Sequence, residues 1–155
     1  MIDIQRADPR HPDILTLLEQ SQRLMNSLYS EEACHMLSVK DLCGEDVLFY
    51  GASLDDTYIG CVGLVLKETY GEIKSMFVDP SHRGLGLAKM LMATLEGVAR
   101  EHQLKSIKLE TGELLKEAVA LYRRHGFTSC DPFGDYADHP DSLFMTKNLD
   151  SPIGP

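Results

Sequence analysis

The sequence predicts one α/β domain, a mixed central sheet with helices on both faces. Three observations predict it. β-rich runs at residues 47–52, 58–66 and 72–78 lie one short turn apart, the spacing of an antiparallel meander. A strand, a glycine-bearing turn, a helix and a further strand then follow one another, a right-handed crossover that makes the flanking strands parallel. Apolar residues recur at helical spacing before and after the meander. At 155 residues the chain has room for one sizeable core and not for two ordinary ones. Residues 1–149 are expected to form that domain and residues 150–155 a C-terminal tail.

Each element has a local cause. Ile2-Asp3-Ile4 alternates apolar and polar, the pattern of a strand. Asp8-Pro9 and His11-Pro12 are helix-start signals, and Ile14, Leu17, Leu18, Leu24, Met25 and Leu28 then form an amphipathic stripe. Residues 31–42 read as a weaker helix that stops near Gly44. Asp55-Asp56 and Tyr70-Gly71 supply the turns of the meander. After Asp79-Pro80 and the glycine turn, Leu87, Leu91, Leu95 and Val98 line one face of a helix. A strand over 106–110 precedes a helix over 114–125 with Leu114, Ala118 and Leu121 inward, and Gly126 is placed as its left-handed cap. Extended structure resumes over 127–130, and 143–146 is the final strand.

Composition narrows the function. Lys and Arg number 15 against 24 Asp and Glu, a net charge of -9 that repels phosphate backbones and excludes general nucleic-acid binding. No apolar run approaches the roughly 18 residues of a membrane span. The first residues, Met1 to Arg6, lack the apolar core of a signal peptide. Cys34, Cys43, Cys61 and Cys130 form no Cys-x-x-Cys pair, so free thiols, a cytoplasmic location and no metal site are expected.

The turn Ser81-His82-Arg83-Gly84-Leu85-Gly86 opens a helix. A helix start leaves backbone N–H groups unpaired, the dipole adds positive character, and Arg83 adds a full charge, so the position suits a pyrophosphate. It is neither a P-loop nor a dinucleotide fingerprint, because position 89 is Lys89 and the preceding strands form a meander.

The stretch from Val78 to Ala88 resembles the acyl-CoA pyrophosphate loop of the GNAT N-acetyltransferase family. Arg83-Gly84-Leu85-Gly86 matches its later part, while the first position, Gln or Arg in the family, falls on Pro80-Ser81. Ala118-Val119-Ala120-Leu121-Tyr122 through Gly126-Phe127 resembles the family's later segment. Glu72-Ile73-Lys74, Leu109-Glu110-Thr111-Gly112 and Pro132-Phe133-Gly134-Asp135-Tyr136 look like a bacterial subgroup. The resemblance implies a GNAT-like fold and acetyl transfer from acetyl-CoA to an amine of a small molecule or peptide. Its alternatives are a non-catalytic acyl-CoA-binding module and a transferase using a larger acyl-CoA. It also implies a homodimer joined through the late strands.

The same resemblance assigns roles. Tyr122 would protonate the departing thiolate, and Glu72 would be the base that deprotonates the amine, with Glu110 next and then Asp135 with Tyr136. Strand alternation puts Glu72, Lys74, Met76 and Val78 on one side, facing the cleft. The Met76 N–H would bind the acetyl carbonyl, Val78 would bond the pantetheine arm, and Phe77 lies between them on the cofactor's path. His82, Arg83, Gly84, Leu85, Gly86, Leu87 and Ala88 would hold the pyrophosphate, and Thr111, Gly112, Leu115 and Tyr122 would close the far wall. Leu115 stands where many members have Asn, and Ser75 where the subgroup has Arg. Tyr29, His35 and residues 133–139 are expected to wall the acceptor pocket.

Overall fold

The computed structural model describes residues 1–30 and 37–149. Its elements are β1 (Ile2–Arg6), α1 (Pro12–Leu28), α2 (Val39–Leu42), β2 (Val47–Leu54), β3 (Thr57–Leu66), β4 (Tyr70–Val78), α3 (Leu87–Glu101), β5 (Ser106–Thr111), α4 (Lys116–Arg124), β6 (Thr128–Ser129) and β7 (Leu143–Asn148). The described strands make one sheet in the order β1-β2-β3-β4-β5-β7-β6. Pairing is antiparallel except between β4 and β5, which the α3 crossover makes parallel.

The sheet separates two cores. Leu87, Leu91, Leu95 and Ala99 of α3 pack with Ile73, Ile107, Leu109, Tyr122 and Met145 on one face. Ile14, Leu17 and Leu18 of α1 pack with Phe49, Cys61, Val65 and Phe77 on the other. Leu91 and Leu95 are fully buried, each a contribution of about 1.5–3 kcal/mol.

Two features open the sheet at its centre. β4 and β5 pair only over Tyr70, Gly71 and Glu72 against Ser106, Ile107 and Lys108. Beyond that point the two strands part. In the same stretch β4 carries a bulge: the register with β3 passes from Gly63↔Lys74 to Cys61↔Phe77, leaving Ser75 and Met76 without paired partners, and Ser75 has φ 57.

The bulge overturns the simple alternation expected for β4. Ile73 belongs to the α3-side core, so Glu72 and Lys74 point toward the α1 side. The extra residue reverses parity. Phe77 enters the α1-side core, while Met76 and Val78 pack against the α3 side. Glu72 and Lys74 therefore do not share a side with Met76 and Val78.

Other boundaries shift for local reasons. The helix expected over 114–125 is α4, Lys116–Arg124. A turn takes the preceding residues, closed by Leu115 N–H donating to the Gly112 carbonyl at 3.0 Å, and Leu114 is exposed rather than inward. The last strand runs to Asn148 because Lys147 and Asn148 pair with Ile107 and Ser106. Within the span 31–42 a helix is described only at α2, where Ser38 Oγ accepts from Asp41 N–H at 3.1 Å. Residues 31–36, which include Cys34 and His35, and residues 150–155 lie outside the described ones.

Candidate active site

A cavity of about 1120 Å³ occupies the gap between β4 and β5 and crosses the sheet. Ser21, Leu24, Met25 and Leu28 of α1 line it from one face, and residues of α3 and α4 from the other. The two mouths have different chemistry because they belong to different layers.

The α3 mouth begins at the glycine turn. The last sheet bond of β4 carries Asp79 N–H to the Ile59 carbonyl at 2.8 Å. The Asp79 carboxylate then accepts from Ser81 N–H at 3.1 Å and meets His82 Nδ1 at 3.2 Å, shaping the single 3-10 turn Pro80–His82. Gly84 and Gly86 follow with φ 86 and 79, the left-handed region that favours glycine. A Cβ built on either glycine would meet nothing within 4 Å, so both border open space. Gly86 caps α3, and the first α3 amide seen returning to it is Met90, at 3.0 Å. The N–H groups of Leu87, Ala88 and Lys89 thus form the usual unpaired helix start. Arg83, Lys89, Lys116 and Arg124 ring this mouth. Amides, dipole, open glycines and cations fit the pyrophosphate of an acyl-CoA.

Tyr122 stands on the same side. It lines the cavity, is only 6% exposed, and stacks edge-on with Phe127 at 5.7 Å. Burial pushes its phenol well above the ordinary tyrosine range, so it remains a neutral donor.

The α1 mouth is built by β4, β5 and α1. Ile107 and Leu109 are in the α3-side core, so Glu110 points to the α1 side, where it lines the cavity and accepts from Ser142 Oγ at 3.0 Å. Lys74 also lines the cavity; Glu72 does not. Glu72 is 5% exposed, meets Lys74 Nζ at 3.2 Å and accepts from Tyr136 Oη at 2.5 Å. Lys74 Nζ donates to the same tyrosine oxygen. Burial first, and then the Glu72 hydrogen bond, raise the Tyr136 phenol, which stays protonated as donor.

An aromatic group holds Tyr136 there. Phe133 meets Tyr70, Tyr136 and Phe144 edge-on at 5.6, 5.3 and 5.7 Å, and Lys108 Nζ lies 5.9 and 5.7 Å from the Tyr70 and Phe133 rings. Phe133 and Tyr136, of the expected segment 133–139, therefore support the site without lining the cavity. Tyr29 also stands outside the cavity wall: its hydroxyl accepts from Leu114 N–H at 2.8 Å. A Cβ on Gly112 would lie 2.1 Å from the Tyr29 hydroxyl, so this approach requires glycine.

Of the residues the sequence singles out, Met76, Phe77, Val78, His82, Arg83, Gly84, Gly86, Leu87, Ala88, Thr111, Leu115 and Tyr122 meet in one cavity. Leu85 and Gly112 adjoin it without lining it: Leu85 is half exposed on the turn, and Gly112 lies beneath Tyr29. Sequence reasoning missed the wall made by Ser21, Leu24, Met25 and Leu28. Its signal was present, since an apolar stripe outlasts the core that buries only Ile14, Leu17, Leu18 and Ser21 of α1.

A cavity through a split mixed sheet, with a glycine-capped helix start at one mouth, defines an acyl-CoA-dependent acyltransferase. The chain belongs to the acetyltransferase (GNAT) family, whose model matches residues 13–127. It is 36% identical over 150 residues to the IAA acetyltransferase of Azospirillum brasilense, covering 96% of this chain and 98% of that one. It is 34% identical over 139 residues to YsnE of Bacillus subtilis, an uncharacterized N-acetyltransferase, covering 88% and 92%. A crystal structure from Klebsiella pneumoniae, assigned to the acyl-CoA N-acyltransferases, superposes with a TM-score of 0.81 at 30% identity, covering 96% and 98%. The protein is an N-acetyltransferase whose acyl donor is acetyl-CoA.

Proposed function

We propose that the amine acceptor, on a small molecule or a peptide, enters from the α1 side, with Glu110 taking its proton and Tyr122 protonating the leaving thiolate. The observation that carries this reading is the split sheet, with Tyr122 reaching the cavity from the α3 side and Glu110 from the α1 side. Acetyl-CoA supplies the acetyl group, whose C–S bond breaks as the C–N bond forms. A protonated amine has no free lone pair, so Glu110 must accept a proton before attack. Tyr122, held neutral by burial, has that proton to give.

The remaining roles follow the same division. Gly84, Gly86, Leu87 and Ala88 offer backbone and space to the pyrophosphate, and His82 and Arg83 add positive charge. Met76, Phe77, Val78, Thr111 and Leu115 flank the pantetheine arm. Leu85 shapes the turn, and Gly112 lets Tyr29 secure the far wall. The Met76 N–H, outside the β3–β4 register, is suited to the developing oxyanion. Glu72, the first candidate base on sequence grounds, is assigned here to holding Lys74 and Tyr136 in place.

The proposal includes a homodimer and a cytoplasmic location. The short, exposed edge strand β6 supports pairing through the late strands, and the unpaired thiols of Cys43, Cys61 and Cys130 support a reducing compartment. No described helix is long and apolar enough to cross a membrane. The deciding experiment measures thiol release from acetyl-CoA over a panel of amines, amino acids and peptides. Acceptor-dependent release lost in Glu110→Gln and Tyr122→Phe is expected. Release that survives both changes defeats these assignments.

A further inference from the structure

The two mouths of the cavity differ in their charged groups. Around the α3 mouth stand Arg83, Lys89, Lys116 and Arg124, with Glu117 the acid among them. On the α1 side, Glu110 is the acid of the wall and Lys74 the cation. That cation is already matched by Glu72 at 3.2 Å and held by Tyr136. Lys108, in register with Glu72 on the same face, is turned to the Tyr70 and Phe133 rings and to Thr146 rather than to the cavity. Among the described residues it therefore adds no second cation to this wall, and Glu110 is the acid that faces the gap. A carboxylate entering from this side would meet like charge and a cation already engaged, whereas an ammonium would meet opposite charge.

Two further observations describe the rest of the ligand. Leu24, Met25 and Leu28 form an apolar wall, and Leu24 keeps 38% of its surface exposed there. Ser75, at the bulge on the cavity wall, has a buried Oγ with no hydrogen-bond partner among the described residues. A buried hydroxyl without a partner is costly, and a hydrogen-bonding ligand removes that cost.

We infer that the acceptor is a primary amine with an apolar body and no carboxylate on the carbon that bears its nitrogen. The apolar body lies along Leu24, Met25 and Leu28, and the amino group faces Glu110 and the Ser75 hydroxyl. This inference rests on the N-acetyl transfer proposed above. In that step Glu110 takes one proton from the ammonium before attack; the nitrogen then bonds the acetyl carbon as the C–S bond breaks, the sulfur takes the Tyr122 proton, the second N–H proton restores the Tyr122 phenol, and Glu110 returns its proton to solvent.

Matched probes test it. Phenethylamine against phenylalanine and isopentylamine against leucine differ only in the carboxylate. Ethanolamine lacks the apolar body. Thiol release from acetyl-CoA is expected to show kcat/KM at least about tenfold higher for each amine than for its amino acid, near the tenfold per 1.4 kcal/mol scale. Phenethylamine should also outperform ethanolamine, and Leu24→Ser, a change at a partly exposed position, should raise KM for phenethylamine by a larger factor than KM for ethanolamine. Calorimetric titration with CoA present should show phenethylamine binding more tightly than phenylalanine, a readout independent of turnover. Equal or better use of the amino acids, or of ethanolamine, overturns this inference and leaves N-acetyl transfer standing. If none of the probes or peptide amines supports thiol release, while acetyl-CoA still raises Tm, both readings are overturned.

Discussion

Arg83 Nη1 lies 2.8 Å from Glu117 Oε2, tying the glycine turn to α4 across the α3 mouth of the cavity. Their side chains keep 46% and 83% of their surface in solvent, so the pair contributes little to folding, in the range of about 0–1 kcal/mol for exposed pairs. Its consequence is for binding, because the carboxylate occupies the charge that the cofactor's phosphates would use. Glu117→Gln is expected to lower Tm by no more than about 4 °C and to tighten acetyl-CoA binding severalfold, most clearly at low salt. Arg83→Gln should weaken it. Calorimetric titration of both variants at two salt concentrations checks this, and equal affinities would detach Arg83 from the phosphates.

Gly86 makes the sharper test of the same cradle. With φ 79 at the start of α3, it sits where a side chain is strained, and its Cβ would project into the open space of the turn. Gly86→Glu adds bulk and a negative charge at the helix start. The expected outcome is loss of measurable acetyl-CoA binding in a variant that still folds, read as the disappearance of the ligand-induced rise in Tm. An undiminished rise would move the pyrophosphate elsewhere.

Tyr122→Phe removes one hydroxyl and keeps the ring against Phe127. A group that acts mainly as thiolate charge develops lowers kcat and kcat/KM together, here by at least about tenfold, with acetyl-CoA affinity kept. The pH dependence follows from burial, which raises the phenol above its ordinary value of 10.0. Tyr122 therefore stays protonated through pH 10, and kcat should show no alkaline loss there from this group. The corresponding stability is fully present below the unfolded pKa near 10 and is lost as pH rises through the folded value. A kcat that falls with an apparent pKa near 10 in the parent and not in the variant would contradict the buried phenol.

The legibility of the sequence divides along physical lines. The meander, the parallel crossover and the glycine turn could be read because hydrophobic period, turn residues and helix starts are local signals. The placement of Glu72 could not, because a bulge at Ser75 reverses alternation and leaves no mark in period or composition. Nothing local announces that Tyr136, 64 residues away in sequence, takes up the Glu72 carboxylate. Tyr29 misleads for the same reason: its hydroxyl is spent on the Leu114 amide, 85 residues distant. The apolar end of α1 reads as core from its stripe alone, and only the parting of β4 and β5 turns it into a cavity wall.

The separation of Glu72 from Glu110 gives the last prediction, a contrast between two carboxylates on the same side of the sheet. Glu72 is buried between Lys74 and Tyr136, with side-chain exposures of 7% for the glutamate and 12% for the lysine. Glu72→Gln removes the carboxylate 3.2 Å from Lys74 Nζ, and breaking a buried pair typically costs about 3–5 kcal/mol. At about 2–4 °C per kcal/mol for chains of this size, Tm should fall by roughly 6–20 °C. At a temperature well below that midpoint, kcat should remain within about threefold of the parent. Glu110→Gln keeps an oxygen for Ser142 and should change Tm little. It should lower kcat by roughly 10²-fold or more, the scale of general-base assistance, with the largest loss at low pH where fewer amines are already neutral. Melting curves and pH–rate profiles of the two variants, measured with the same acceptor, separate the roles. A hundredfold loss of kcat in Glu72→Gln with an unchanged Tm would return the base to Glu72 and make Glu110 part of the wall.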